Sequence, residues 1–191
     1  MAKRYPELNE ELSAFIRQQK LYFVATASDG YVNLSPKGMD SLRILDANTV
    51  AWLNLTGSGN ESAAHVLEDS RMTMMFCAFE GKPLILRLYG KARVYHARDE
   101  QWPALSAHFE LLPGARQIFI LDIELVQTSC GFGVPYFEYQ GDRSLLIDWA
   151  TNRGPEGLKE YWARKNQESL DGKPTGIFAE KDISEKDSAQ K

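Results

Sequence analysis

The sequence is poor in the residues that build metal centres and disulfide frameworks, with two cysteines and three histidines in 191 residues. Cys77 and Cys130 form no CxxC pair, and His65, His96 and His108 are scattered, so no dedicated zinc site is expected. Cys77 lies inside the apolar run RMTMMFCAF and reads as a small buried hydrophobe. Basic charge is also short: 22 Lys and Arg stand against 26 Asp and Glu, a formal charge of −4. A nucleic-acid binder needs a basic face that displaces counterions, and none is indicated. No apolar run approaches the roughly 20 residues that cross a bilayer. The stretch MAKRYPELNEELSAF has no apolar core of a signal peptide, so a soluble, cytoplasmic protein is expected, where a reducing environment disfavours a disulfide. There is no internal repeat, no Ser/His/Asp elbow and no cysteine beside a base. Chemistry of the chain's own is thin, as in proteins whose cofactor carries the reaction.

What is present is core. Hydrophobic residues make up 43% of the chain, enough for one globular domain, expected over 1–178 with a polar, disordered tail at 179–191. The spacing of Leu8, Leu12, Phe15 and Ile16 predicts an amphipathic helix over 7–19, opened by Pro6. LYFVATA and YVNLS flank the turn Ser28-Asp29-Gly30 as a hairpin that ends at Pro36. SLRILD, VAWLNL, RMTMMFCAF, LILRLYGKARVYH and IFILDIELVQTSC read as further strands. ESAAHVLED, DEQWPALSAHFE, SLLIDWATN and PEGLKEYWARKNQ read as helices, with Trp149 and Trp162 docking the last two. About seven strands with short connections predict a mainly β, α+β fold: a six- to seven-stranded antiparallel β-barrel with peripheral helices.

Three places could hold a ligand. In Asn33-Leu34-Ser35-Pro36-Lys37-Gly38, the Ser35 hydroxyl and Lys37 ammonium at a strand end suit a phosphate, unless Lys37 is simply solvated in a turn. In Thr56-Gly57-Ser58-Gly59-Asn60, a glycine-rich turn opens a helix whose free N–H groups attract an anion. The alternative there is a capping box of Ser58 and Glu61. Arg87 sits on an apolar strand face and needs a partner, either a carboxylate such as Asp122 or Glu124 or a bound ligand. His65, four residues past Glu61, either packs its helix or touches that ligand. The aromatics of SCGFGVPYFEY, among them Phe132, Tyr136 and Phe137, either cover a planar cofactor or seal the barrel end.

The order GYVNLSPKG (30–38), LTGSGNESAAH (55–65) and RLYG (87–90) resembles the FMN-binding split-barrel proteins related to pyridoxamine 5'-phosphate oxidase. The likeness covers about residues 20–130, and CGFGVP with KNQESLDG resembles one uncharacterised branch of that family. The resemblance implies a homodimer with FMN at its interface. Lys37, beside Ser35 and Pro36, would hold the phosphate. Leu53, Asn54, Leu55, Thr56, Gly57 and Ser58 would lie along the flavin. Asn60, Glu61, Ser62 and His65 would make further contacts from the helix, and Arg87 would reach the flavin of the partner subunit. Where the oxidase has an arginine opening the lysine-bearing strand and an Arg-Lys pair opening the helix, this chain has Val32 and Ser62-Ala63. The oxidase's C-terminal arginine and histidine, which hold the vitamin, have no counterpart in SLLIDWATNRGPEGLKEYW. The expectation is therefore an FMN-dependent oxidoreductase of unknown substrate, or alternatively a flavin- or haem-binding protein without turnover that carries the group or senses redox state.

Overall fold

The computed structural model describes residues 2–178, so the expected disordered tail at 179–191 lies outside the described residues. A short strand β1 (Lys3–Tyr5), which the sequence pattern did not suggest, precedes helix α1 (Glu10–Gln18). The helix starts later than Pro6 because Asn9 is its cap: Asn9 Oδ1 accepts from the Leu12 N–H at 2.9 Å. Strands β2 (Tyr22–Thr26) and β3 (Asn33–Lys37) form the expected hairpin. Then come β4 (Leu42–Asp46), β5 (Thr49–Leu55), α2 (Glu61–Glu68), β6 (Arg71–Cys77) and β7 (Ile85–His96). A short helix α3 (Trp102–Ser106), the long strand β8 (Ala115–Ser129) and α4 (Leu145–Lys165) complete the order. α4 is two helical pieces broken at Gly154, whose φ of 65° and the following Pro155 interrupt the ladder where the sequence suggested two helices.

All eight strands join one antiparallel sheet in the order β3-β2-β6-β7-β8-β5-β4, with β1 laid on the end of β8. The two edges, β3 and β4, are consecutive in the chain. The barrel is open between them, which is the split architecture that the family resemblance implies. Pro36 sits within β3 opposite Phe23 and does not end the strand; an edge strand has one side free of partners and accepts the missing N–H.

The interior is one apolar cluster in which Val24, Trp52, Met74, Phe76, Leu86, Leu88, Phe119 and Leu121 are nearly inaccessible, closed at one end by Leu12 and Ile16 of α1. Each such side chain contributes about 1.5–3 kcal/mol on burial. A second cluster outside the sheet gathers Ala51, Leu53, Phe109, Ile118 and Ile120. Strand β5 is thus buried on both faces: Trp52 points inward and stacks on Phe119 with ring centroids 4.7 Å apart, while Leu53 points outward. Among the described residues no helix is long and apolar enough to cross a membrane.

Candidate functional site

A cavity of about 290 Å³ opens where β3, β5, the turn after β5 and the start of β8 converge. From β3 come Asn33, Ser35 and Lys37, alternate residues that share one face of the strand. Trp52, Asn54 and Leu55 come from β5, residues 57–62 from the turn and the first residues of α2, and Arg116 from β8.

Two cations dominate this space. Burial pushes the Lys37 ammonium down to about 8, and the nearby positive charge of Arg116 adds to that fall. Its Nζ stands 4.9 Å from the centroid of the Trp52 ring. Burial likewise lowers Arg116, to about 10. Arg116 reaches the cavity because β8 carries an extra residue there: Asn54 pairs with Gln117 but Leu55 pairs with Ala115, leaving Arg116 in a bulge. Bulges re-aim side chains in this way. Its Nη1 donates to the Gly59 carbonyl at 3.2 Å and to Asn166 Oδ1 at 2.8 Å, while the buried Nε has no partner. With its amide oxygen turned toward the guanidinium, Asn54 accepts from Nη2 at 3.0 Å. Among the described residues no carboxylate forms an ion pair with Lys37 or Arg116. Two desolvated cations without a counterion make a site complementary to an anion.

The start of α2 adds to this field. Asn60 occupies the cap position but makes no side-chain cap bond. The Ser58–Glu61 capping box does not form: the cap lies two residues later, and the Glu61 carboxylate accepts instead from the Leu170 N–H at 2.8 Å. In the first turn of α2 the Ala63 N–H donates to the Asn60 carbonyl at 3.1 Å, while the N–H groups of Glu61 and Ser62 precede the first intrahelical acceptor and lie at the positive end of the helix dipole. Asn33 Nδ2 donates to Ser62 Oγ at 3.1 Å, which ties β3 to this helix end.

Of the residues singled out from sequence, Ser35, Lys37, Asn54, Leu55, Gly57, Ser58, Asn60, Glu61 and Ser62 line this one cavity. Five do not. Pro36 is exposed on the other face of β3, and Leu53 belongs to the outer core cluster. The Thr56 hydroxyl is engaged, donating to the Gly114 carbonyl at 2.8 Å and accepting from Trp162 Nε1 at 2.9 Å. His65 is buried one layer behind Ser62, with Nδ1 3.1 Å from Thr26 Oγ1. Arg87 lies on β7 and donates to Ser129 Oγ at 3.3 Å. Neither suggested carboxylate is its partner, because Asp122 pairs with Arg93 and Glu124 with Lys91. The aromatics after β8 neither cover the cavity nor seal the barrel: Phe132, Tyr136 and Phe137 are 81%, 80% and 61% exposed.

Sequence reasoning missed Trp52 and Arg116 as lining residues, and named Asn33 and Gly59 only as members of their segments. The rule that singled out Arg87, that a charge in an apolar strand needs a partner, did not reach Arg116, which precedes the strand expected from Ile118 and falls within β8 only in the structure. A larger cavity of about 460 Å³ lies beyond Gly38, between α1 and β4. Its guanidinium groups are neutralised, Arg17 by Glu10 and Arg43 by Asp40, Tyr22 is bonded to Ser41, and the Lys20 ammonium lies 5.8 Å from the Tyr139 ring centroid. Among the described residues no three His, Cys, Asp or Glu side chains gather as a metal site.

Residues 8–130 match the family model described as pyridoxamine 5'-phosphate oxidase. The chain is 35% identical to a pyridoxamine 5'-phosphate oxidase family protein, ustO, of Aspergillus flavus, over 89% of this chain and 76% of the relative. Among solved structures it is similar to HupZ of Group A Streptococcus, in a variant form, with TM-score 0.52 and 19% identity over 63% of this chain and 98% of that one. It is also similar to a Lactobacillus delbrueckii protein described as a candidate pyridoxamine 5'-phosphate oxidase, with TM-score 0.50 and 23% identity over 64% and 94%. At those identities the structural likeness speaks for the fold alone. It agrees with the antiparallel barrel expected from the strand count and with the split form that the resemblance implies.

Proposed function

We propose a function for this chain, which belongs to the pyridoxamine 5'-phosphate oxidase family, as a flavoprotein that holds FMN by its phosphate and serves as an oxidoreductase. The observation that carries the reading is the pair of unneutralised cations, half-buried Lys37 and buried Arg116, facing the start of α2 in one cavity. The donor set fits a phosphate monoester: an ammonium, a guanidinium without a counterion, and the hydroxyls of Ser35, Ser58 and Ser62.

A bound flavin supplies two-electron redox chemistry, and the protein's share is binding, orientation and electrostatics. Lys37 and Arg116 neutralise the phosphate, and β3 and the turn after β5 fix its position. Trp52 keeps Lys37 in place by its ring face, where a carboxylate would compete with the ligand. At about 290 Å³ the cavity is at the lower end of ligand pockets, which run from roughly 300 Å³. It accommodates the phosphate end of FMN, and the ring must then rest against another surface.

A second copy of the chain fits that need. The β2–β3 hairpin exposes Tyr31, Val32 and Leu34, at 69%, 71% and 62%. Packing of this edge in a homodimer would cover it, and Arg87, which does not line this cavity in its own chain, would act on the partner's flavin. The single-domain division at 178 belongs to the same reading.

The test is a titration of purified protein with FMN, followed by flavin fluorescence and by absorbance near 450 nm (roughly where oxidised flavins absorb). Saturable quenching by FMN is expected, and Lys37→Ala should weaken it at least about tenfold, the worth of one charge-assisted contact. A colourless protein that ignores FMN overturns the proposal. Rapid mixing with NADH or NADPH then separates turnover from mere carriage, since a non-catalytic flavin binder is reduced by neither.

A further inference from the structure

Asn166 ends α4 and is fully inaccessible, at 0% exposure. Its side chain stands between the two halves of the anion site. Oδ1 accepts from Arg116 Nη1 at 2.8 Å, and Nδ2 donates to the carbonyls of Gly57 at 3.2 Å and Ser58 at 3.4 Å. The Asn166 carbonyl accepts from Thr175 Oγ1 at 2.5 Å and from Asn60 Nδ2 at 3.4 Å. One residue from outside the barrel thus grips the cavity's guanidinium, the turn beside it and the cap position of α2.

The strap that follows, residues 167–177, runs back across α2 and the β2–β3 hairpin. Its Leu170 N–H donates to the Glu61 carboxylate at 2.8 Å. Asp171 Oδ2 accepts from the Tyr31 N–H at 3.2 Å, and Lys173 Nζ donates to Ser28 Oγ at 3.1 Å and pairs with Glu68. At the far end Arg98 donates to the carbonyls of Gly176 at 2.5 Å and Ile177 at 2.7 Å. The Leu170 contact matters electrostatically. A carboxylate in the first turn of a helix is drawn to that helix's own unpaired N–H groups, where it would oppose a bound anion. Here the strap occupies one of its oxygens.

We propose that Asn166, with the strap it opens, is the positioning element of the anion site: it holds Arg116 toward the cavity and ties one oxygen of the Glu61 carboxylate to the Leu170 N–H. The inference rests on the FMN reading for the identity of the anion, and otherwise concerns this chain's own residues. Arg116 has Nη1 spent on Asn166 and the Gly59 carbonyl, while Nε is buried without a protein partner. A guanidinium held at Nη1 by Asn166 and at Nη2 by Asn54 presents its charge to the cavity without first having to be ordered.

The experiment titrates wild type, Asn166→Asp, Asn166→Ala and Asn166→Gln separately with FMN, riboflavin and inorganic phosphate, reading flavin fluorescence and melting temperature. Asn166→Asp keeps the shape but sets a charge against Arg116 and against the Gly57 and Ser58 carbonyls. It should weaken FMN at least about tenfold, the scale of one charge-assisted hydrogen bond. Riboflavin lacks the phosphate and should change less than about twofold, a split that a purely structural role would not produce. Inorganic phosphate should raise the melting temperature of wild type and not of Asn166→Asp, and Asn166→Gln should restore part of the preference for FMN. Equal losses for FMN and riboflavin, or a wild-type ratio between them, overturn the inference. Should wild type bind no flavin, the FMN reading fails, and the phosphate arm alone decides: stabilisation lost in Asn166→Asp upholds the positioning role, and its persistence or absence throughout ends it.

Discussion

Lys37 and Trp52 meet across the split of the barrel, with the ammonium 4.9 Å from the indole centroid on the face of a strand whose next neighbours are Ser35 and Asn33. The indole is itself fixed by its stack on Phe119. A ring face attracts a cation without neutralising it. Lys37 therefore stays charged and unpaired at the price of desolvation, which is why its proton is held so loosely, at about 8.

The first consequence is a pH dependence of ligand binding. Below about 8 Lys37 is an ammonium and attracts phosphate; above it the free protein loses that charge. FMN affinity should fall as pH rises through 8 to 9, while riboflavin affinity stays flat. In Lys37→Arg, which keeps its charge throughout this range, the fall should disappear. Parallel decline for both flavins in wild type would show that the effect does not come from Lys37.

The second concerns stability without ligand. The folded state lowers the Lys37 pKa from 10.5 to about 8, so between those values the unfolded chain binds more protons. The cost of the buried charge is complete below about 8 and fades as pH rises toward 10.5. Lys37→Met removes that cost and should melt higher than ligand-free wild type at pH 7, by about 2–4 °C for each kcal/mol relieved. The advantage should shrink by pH 10, and the variant should bind FMN poorly. A variant that melts lower at pH 7 would show that the Trp52 contact outweighs desolvation.

The barrel was legible in sequence because turn residues and β-rich runs mark it locally: Ser28-Asp29-Gly30 is a hairpin turn, and the runs around Val24, Met74, Leu88 and Phe119 are strands. Lys37, Ser35 and the turn at Gly57–Ser58 were legible as anion-ready segments for the same reason. Arg116 was not, because its direction depends on a bulge between two strands about sixty residues apart in sequence. Nor was Asn166, an ordinary helix end until folding lays it against Gly57 and Ser58. Glu61 misled, since the capping pattern with Ser58 is a local preference that Leu170, distant in sequence, overrides.

A third prediction tests the bend of the barrel. The β7–β8 ladder shifts register between Tyr89 and Gly90, and a Cβ at Gly90 would lie 1.9 Å from the Asp122 carbonyl oxygen. No side-chain adjustment relieves a clash with backbone, so Gly90→Ala should either reach the insoluble fraction or melt well below wild type. Overpacking of this kind costs about 1–3 kcal/mol or more. A soluble Gly90→Ala with an unchanged melting curve would mean that the two strands separate more easily than their pairing suggests.

The last prediction follows the polar side chains inward from the cavity. Asn54 lies against Gln117, and Gln117 Nε2 is 3.1 Å from His96 Nε2, all of them buried. Burial first, and the Arg98 charge second, hold the His96 proton down at about 4, against an ordinary 6.5. The adjacent Asp99 carboxylate and the more distant Arg116 act on the same ring in opposite directions without reversing that fall. The imidazole is therefore neutral in the folded protein at pH 6 to 7. Between 6.5 and 4 the unfolded chain takes up a proton that the folded one refuses, so stability falls as pH drops through that window and levels off below it. Carboxylates titrate over part of the same range, and a comparison isolates the histidine: His96→Gln, which can still bond Gln117, should lose less melting temperature between pH 7 and pH 5 than wild type does. Identical losses in the two proteins would mean that His96 accepts its proton without unfolding, and that the buried row behind Asn54 is more open to water than its contacts imply.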